Sequence, residues 1–157
     1  MKNKYHLPTP IGIALIEGNA NGVEKISVLS ETPERNFQDT ELTEAAEQLK
    51  AYFKGELQEF NFSIQPQGTA FQQRVWQELL KIPFGKTTSY LELSKRLGDP
   101  KAIRAVASAN GKNPLWIVVP CHRVIGSDGS LTGYAGGIWR KKWLLEHESP
   151  AQQQRLF

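Results

Sequence analysis

The sequence predicts an α/β protein in two parts, a small α/β region over 1–68 and a mostly helical domain over 69–157. Three observations predict it. Two short runs of apolar and β-branched residues within 10–30 flank the turn-forming Gly18-Asn19-Ala20-Asn21-Gly22, the pattern of a hairpin. Beyond residue 70 apolar residues recur at helical spacing, with start and stop signals between them. Charge changes along with the pattern: residues 1–70 hold six Lys/Arg against ten Asp/Glu, net −4, whereas 71–157 hold thirteen against six, net +7.

A chain of 157 residues is long enough to bury a core in one domain or a compact pair. Its 39% hydrophobic and 22% charged residues match ordinary globular proteins and exclude a disordered one. No apolar run approaches the roughly 18 residues of a membrane span, and the opening MKNKYHLPTPIGIALIEGN lacks a sustained apolar segment with a small-residue cleavage site. The expectation is a cytoplasmic protein without membrane contact. The single cysteine excludes an intramolecular disulfide and suits a reducing compartment. A basic second half invites a polyanion, although charge alone is equally consistent with a solvated basic face.

After the hairpin, Ala45, Ala46, Leu49, Tyr52 and Phe53 fall at helical intervals and Gly55 can end that helix. LQEFNFSIQPQG starts strand-like and turns polar around Pro66 and Gly68, where the boundary between the two parts is placed. In FQQRVWQELLK, Phe71, Val75 and Leu79 form one stripe, widened by Trp76 and Leu80, until Ile82-Pro83-Phe84-Gly85 breaks the helix. Ser89 with Glu92 three residues on is a capping-box signature, and Tyr90, Leu93 and Leu97 then line one face of a short helix ended by Gly98. Asp99 as N-cap and Pro100 as first helical residue start another helix over KAIRAVASAN. Two short helices joined by a tight Gly-containing turn in a basic region suggest a helix-turn-helix. The second is thin, with Ala102, Ala105, Ala107, Ser108 and Ala109 around the long Arg104. Such a helix can approach a ligand closely or pack tightly on another helix.

LWIVV, at 115–119, reads as a buried strand stopped by Pro120, which leaves Cys121 just past a strand end. A free cysteine is only a few per cent thiolate at neutral pH, so a reactive one needs a base or a positive charge nearby. His122 and Arg123 are the adjacent candidates. On a strand, neighbours point to opposite faces, so Cys121 and His122 cooperate only if the backbone turns or a water bridges them. Taken alone, the adjacency also fits an inert core cysteine. A structural metal would need four ligands, and only His6 and His147 remain as further His or Cys donors; no metal is expected.

The stretch Arg104 to Glu148, with RAVASANGKNP, IVVPCHRVIG, TGYAGG and RKKWLLEHE, closely resembles the O6-alkylguanine-DNA alkyltransferases, also called methylated-DNA-protein-cysteine methyltransferases. FQQRVWQELLKIPFGKTTSY is similar to the family's approach to its helix-turn-helix. The first 60 or so residues match more loosely, through TPIG and AYFKG. The resemblance implies a ribonuclease-H-like N-terminal region and a winged-helix-like C-terminal domain. It also implies DNA repair by single-turnover transfer of a methyl or small alkyl group from O6-alkylguanine, with O4-alkylthymine as a further substrate. By that resemblance Cys121 is the acceptor, His122 takes its proton through a water, Glu148 holds the imidazole, and Asn113 positions the segment. Tyr90 contacts a phosphate and the flipped guanine. Arg104 fills the gap in the base stack, and Ala102, Ala105, Ser108 and Arg123 belong with it to the DNA-contacting set, which lies in the minor groove. Pro120, Val124, Tyr134, Ala135, Gly136 and Trp139 line the base pocket. Ala135 departs from relatives that carry serine there. The implied protein is a monomer with no cofactor and no obligate protein partner.

Two other classes make different demands. A lesion-binding damage sensor without transfer activity would lack the acceptor cysteine, which is present. A cysteine hydrolase using Cys121 and His122 would act on acyl substrates and ignore DNA, against the basic charge and the helix pair. The polar tail SPAQQQRLF is assigned no role.

Overall fold

The computed structural model describes residues 2–131 and 133–149; Thr132 and the tail from Pro150 onward lie outside the described residues. The chain divides into two compact units, 1–67 and 68–157. Both sheet and helix are present in the order expected of an α/β protein, with the three-stranded sheet in the first unit and most helix in the second.

The first unit is an antiparallel meander of β1 (Asn3–Thr9), β2 (Gly12–Asn19) and β3 (Gly22–Leu29), followed by α1 (Thr43–Phe53). The β2–β3 hairpin closes with Asn19 opposite Gly22. The Asn19 side chain accepts from the Asn21 N–H at 2.8 Å, which sets the turn. One face alternates inward as Ala14, Ile16, Val23, Ile26 and Val28, and packs with Ala45, Ala46, Leu49 and Tyr52 of α1 in the core. Strand β1 was not anticipated from sequence. Its edge is occupied by the returning chain, with the His6 N–H bonded to the Phe37 carbonyl and the Asp39 N–H to that of Lys4. The other edge, at Val23, is taken by residues 63–65.

The second unit starts with α2 (Ala70–Leu79), capped by a reciprocal pair: Thr69 accepts from the Gln72 N–H and Gln72 accepts from that of Thr69. Helices α3 (Tyr90–Arg96) and α4 (Ile103–Gly111) form the expected pair. Ser89 caps α3 by accepting from the Glu92 N–H, Gly98 turns the chain at φ 89°, and Asp99 caps a 3-10 turn at Pro100–Ala102 that leads into α4. Two residues of β4 (Thr88–Ser89) pair in parallel with β5 (Val124–Ile125), and α5 (Ile138–Glu148) closes the unit. Val75, Trp76, Leu79, Leu93, Val106 and Leu144 fill its core, and the Trp76 indole donates to the Ala109 carbonyl at 2.9 Å, fixing α4 on α2. Among the described residues no helix is long and apolar enough to cross a membrane.

One element differs from expectation. The run LWIVV is buried but is not a strand: it is a coil of tight turns in which Ile117 takes φ 75°. The Val118 N–H bonds to the Trp116 carbonyl and the Val119 N–H to that of Leu115. A β-branched residue at positive φ costs about 1–3 kcal/mol. The conformation persists because Asn113 replaces a sheet partner: its amide donates to the Leu115 and Val119 carbonyls at 3.3 and 2.7 Å, and its oxygen accepts from the Leu115 N–H at 2.9 Å.

Candidate active site

That coil delivers Cys121. The Cys121 N–H bonds back to the Val119 carbonyl across Pro120, and residues Cys121–Arg123 form a 3-10 turn rather than a strand. The turn removes the geometric objection raised by adjacent strand positions. Cys121, His122 and Arg123 are all buried, as are Pro120 before them and Val124 after.

Glu148, at the end of α5, is the hub of the site. Its Oε2 lies 2.7 Å from His122 Nε2; Arg123 donates to it twice, Nε to Oε1 at 2.7 Å and Nη2 to Oε2 at 2.9 Å. Burial opposes the carboxylate charge, yet the His122 and Arg123 contacts outweigh it and hold the carboxyl well below the ordinary range. A carboxylate only accepts, so His122 carries its proton on Nε2 and a lone pair on Nδ1. That Nδ1 is buried and has no partner among the described residues. Burial lowers the His122 pKa, with Glu148 acting in the opposite sense, so the ring is a neutral base.

Burial pushes the Cys121 thiol up to about 11, opposed by a hydrogen bond from Asn113 and by the charge of Lys141. Lys141 is wholly buried on α5, with its ammonium 5.8 Å from the centre of the Tyr90 ring. Desolvation lowers its pKa to about 8, with Cys121 pulling the other way. Asn110, at the C-terminal end of α4, is also buried and lies 3.5 Å from the Cys121 carbonyl through its amide nitrogen, which links the helix pair to the thiol segment.

Residues 133–137 form a second wall. Arg140 donates to the Gly136 carbonyl at 2.9 Å and the Gly137 N–H bonds to the Tyr134 carbonyl. A Cβ on Gly136 would fall 2.9 Å from both the Trp116 and Tyr134 rings, so only glycine fits there. A Cβ on Gly133 would lie 3.9 Å from the Tyr90 hydroxyl, which brings Tyr90 alongside this segment. Ala135 is exposed, and Trp139 is 54% exposed with the Arg140 guanidinium 4.5 Å from its ring centre. On α4, Arg104, Ala105 and Ser108 are exposed while Val106, Ala109 and Asn110 face the core, and Ala102, in the 3-10 turn before it, is half-buried.

Cys121, His122, Arg123, Glu148 and Asn113 are thus brought into one cluster, with Tyr90 and Tyr134 at its side and Arg104 on a separate exposed face. Arg123 is not on that face: its guanidinium is consumed by Glu148 and by the Ile82 carbonyl, 2.7 Å from Nη1, against the Phe84 ring. Its expected place among DNA-contacting residues is corrected to one inside the site. Lys141, Asn110 and Arg140 were missed from sequence. Arg140 and Lys141 are buried and Lys142 half-buried, but three consecutive basic residues on a helix read as a solvated face.

A helix-pair protein carrying a buried cysteine, histidine and glutamate in sequence is the class this fold and site define. Residues 70–150 match the family model described as 6-O-methylguanine DNA methyltransferase, DNA binding domain. The chain is 48% identical over 147 residues to the methylated-DNA-protein-cysteine methyltransferase of Mycobacterium tuberculosis, covering 90% of this chain and 89% of that one. It is 45% identical to the protein of that name from Methanosarcina acetivorans, covering 89% and 94%. It also matches the crystal structure of Mycobacterium tuberculosis OGT in complex with DNA with TM-score 0.86 and 46% identity, covering 99% of each chain. The chain belongs to the methylated-DNA-protein-cysteine methyltransferase family.

Proposed function

We propose that this protein repairs DNA by moving a methyl or small alkyl group from the O6 of guanine onto Cys121, once per molecule. The observation that carries the reading is the buried free thiol beside a neutral histidine whose Nδ1 lone pair is unpartnered and whose Nε2 is fixed by Glu148. Family membership and the likeness to a DNA-bound relative support duplex DNA as the partner.

The alkylated oxygen is inside the base stack, so the nucleotide must be flipped out at a cost of a few kcal/mol. Helix α4, whose exposed face is Arg104, Ala105 and Ser108, is thin enough to enter the minor groove, with Arg104 filling the space the base leaves. Tyr90 contacts the adjoining phosphate and the base, and residues 133–136 receive it. His122 Nδ1 takes the thiol proton through a water, Glu148 stabilises the resulting imidazolium, and Arg123 keeps Glu148 ionised. The sulfur then attacks the alkyl carbon: the S–C bond forms, the C–O6 bond breaks, and the electron pair passes to the base, which is completed as guanine by a proton on N1. A thioether offers no easy leaving route, so turnover stops at one. O4-alkylthymine presents the same kind of carbon–oxygen bond. The thiol must stay reduced to act, which favours a reducing compartment such as the cytoplasm.

Intact mass after mixing with duplex DNA carrying one O6-methylguanine tests the reading. One methyl is expected, mapped to Cys121 and absent in Cys121→Ser. Tight lesion binding without mass gain, or several products per protein, overturns it.

A further inference from the structure

Within the wall at 133–137, Tyr134 carries the single side chain able to donate a hydrogen bond; its companions are Gly133, Ala135, Gly136 and Gly137. Its ring is part-exposed, but its hydroxyl oxygen is buried and has no partner among the described residues. An unsatisfied buried hydroxyl costs free energy and asks for an explanation. The ring is not free to swing away to find a partner. It is tilted against Trp116, with centres 5.7 Å apart, and pinned from behind by the missing side chain of Gly136. The Tyr134 carbonyl is held by Gly137 and the next carbonyl but one by Arg140. Burial, and next the nearness of Cys121, push the phenol pKa well above its ordinary value, so the group stays a donor. It is close enough for the Cys121 charge to act on it without being bonded to the thiol.

Resting on the transfer reading above, we infer that the Tyr134 hydroxyl donates a hydrogen bond to the base oxygen that the alkyl group leaves. In an in-line displacement the sulfur, the carbon and the leaving oxygen are collinear, so a donor for that oxygen lies close to the sulfur but off it. As the S–C bond forms and the C–O6 bond breaks, the electron pair develops on O6. Tyr134 stabilises it there and keeps its own proton, while the proton needed at N1 derives from the thiol by way of His122 and solvent. Ala135, which supplies no hydroxyl, leaves this donation to its neighbour. A fixed donor aimed at developing charge is the arrangement that accelerates rather than merely binds.

The test is Tyr134→Phe, which keeps the ring on Trp116, measured by single-turnover methyl transfer with intact-mass detection. Transfer is expected to slow on the order of 100- to 1,000-fold, with iodoacetamide modification of Cys121 in DNA-free protein unchanged and thermal unfolding no lower, since the variant removes an unsatisfied buried hydroxyl. A duplex carrying S6-methylthioguanine supplies the second arm. Sulfur accepts hydrogen bonds weakly, so the penalty of the variant shrinks to below about threefold with that substrate. A wild-type transfer rate in Tyr134→Phe, or an equal penalty for the oxygen and sulfur substrates, overturns the inference. Wild-type protein that gains no methyl at all overturns the transfer reading itself, an outcome distinct from either.

Discussion

Replacing Glu148 by glutamine keeps its shape and removes one charge. The wild-type carboxylate meets His122 at 2.7 Å and Arg123 at 2.7 and 2.9 Å, with its side chain only 1% exposed. Glutamine offers one accepting oxygen where the carboxylate offers two, so at least one Arg123 hydrogen bond is lost and the guanidinium is left buried without a counter-charge. Removing one partner of a buried pair costs about 3–5 kcal/mol, a large share of the roughly 5–15 kcal/mol that holds a domain folded. Glu78 supplies the control: its 3.1 Å pair with Lys81 is at the surface, where the lysine side chain is 68% exposed, and Glu78→Gln should cost no more than about 1 kcal/mol. The assay is urea unfolding of both variants followed by circular dichroism. The pH dependence adds a sign. The folded pKa of Glu148 is depressed below its ordinary 4.5, so its contribution is present above about that pH and lost as the pH falls through the lower folded value. Glu148→Gln should therefore flatten the acid limb of the stability curve. A loss below about 1 kcal/mol with an unchanged acid limb would refute the view of Glu148 as the hub of the site.

Asn113→Ala removes the partner of the Leu115 N–H and the Val119 carbonyl and should cost about 2–4 kcal/mol in the same assay. It should also raise the thiol pKa further, read from the pH dependence of iodoacetamide modification. Gly98→Ala meets nothing within 4 Å and is strained only by its φ of 89°, for a cost of about 1 kcal/mol, whereas Gly136→Ala drives a methyl into Trp116 and Tyr134. The second should impair methyl transfer far more than the first. Lys141→Met removes a charge that burial disfavours and should raise stability at pH 7 by about 1–3 kcal/mol while slowing transfer. In the wild type, from about pH 8 the folded protein releases a Lys141 proton that the unfolded chain keeps up to 10.5. Stability therefore rises with pH there until about pH 9, where Cys121, whose folded pKa is raised from 9.0 to about 11, contributes an equal and opposite slope and cancels the rise. Lys141→Met should abolish the rise between 8 and 9, measured by thermal unfolding.

Local signals carried much of the fold. The turn at 18–22, the Ser89 and Asp99 caps and the Gly98 stop each act through groups within four residues, so sequence displays them whole. Strand β1 escaped because its pattern is broken by His6 and Pro8, and its edge partners are 31 residues away from His6 at Phe37 and 35 from Lys4 at Asp39. LWIVV misled for a different reason: an apolar run reports burial, and burial does not by itself mean a strand. What turned it into a coil is one side chain, Asn113, that satisfies backbone groups a ladder would otherwise satisfy. The reactive trio was legible as a motif, yet the division of labour within it was not. Which of His122 and Arg123 serves the thiol depends on Glu148, 26 and 25 residues later in the chain.

The electrostatics of the free site explain why so buried a thiol can be both inert and reactive. With its pKa at about 11, Cys121 is about one part in ten thousand thiolate at pH 7, and His122 is neutral. Solvent-borne electrophiles therefore meet a protected S–H group. Moving the proton from sulfur to His122 makes two charges, each opposed by burial, but leaves the net charge of the site unchanged. Each new charge already has its partner in place: Glu148 for the imidazolium, Asn113 and Lys141 for the thiolate. The charged pair is thus a minor state that an electrophile aligned with the sulfur can draw on, because reaction consumes the thiolate as it forms. Alkylation then leaves a neutral thioether beside Lys141, a group that can no longer form a thiolate to offset the desolvation of the ammonium. By that argument the site is balanced for one transfer, with the activating charge separation tied to the presence of the substrate and not to the resting protein.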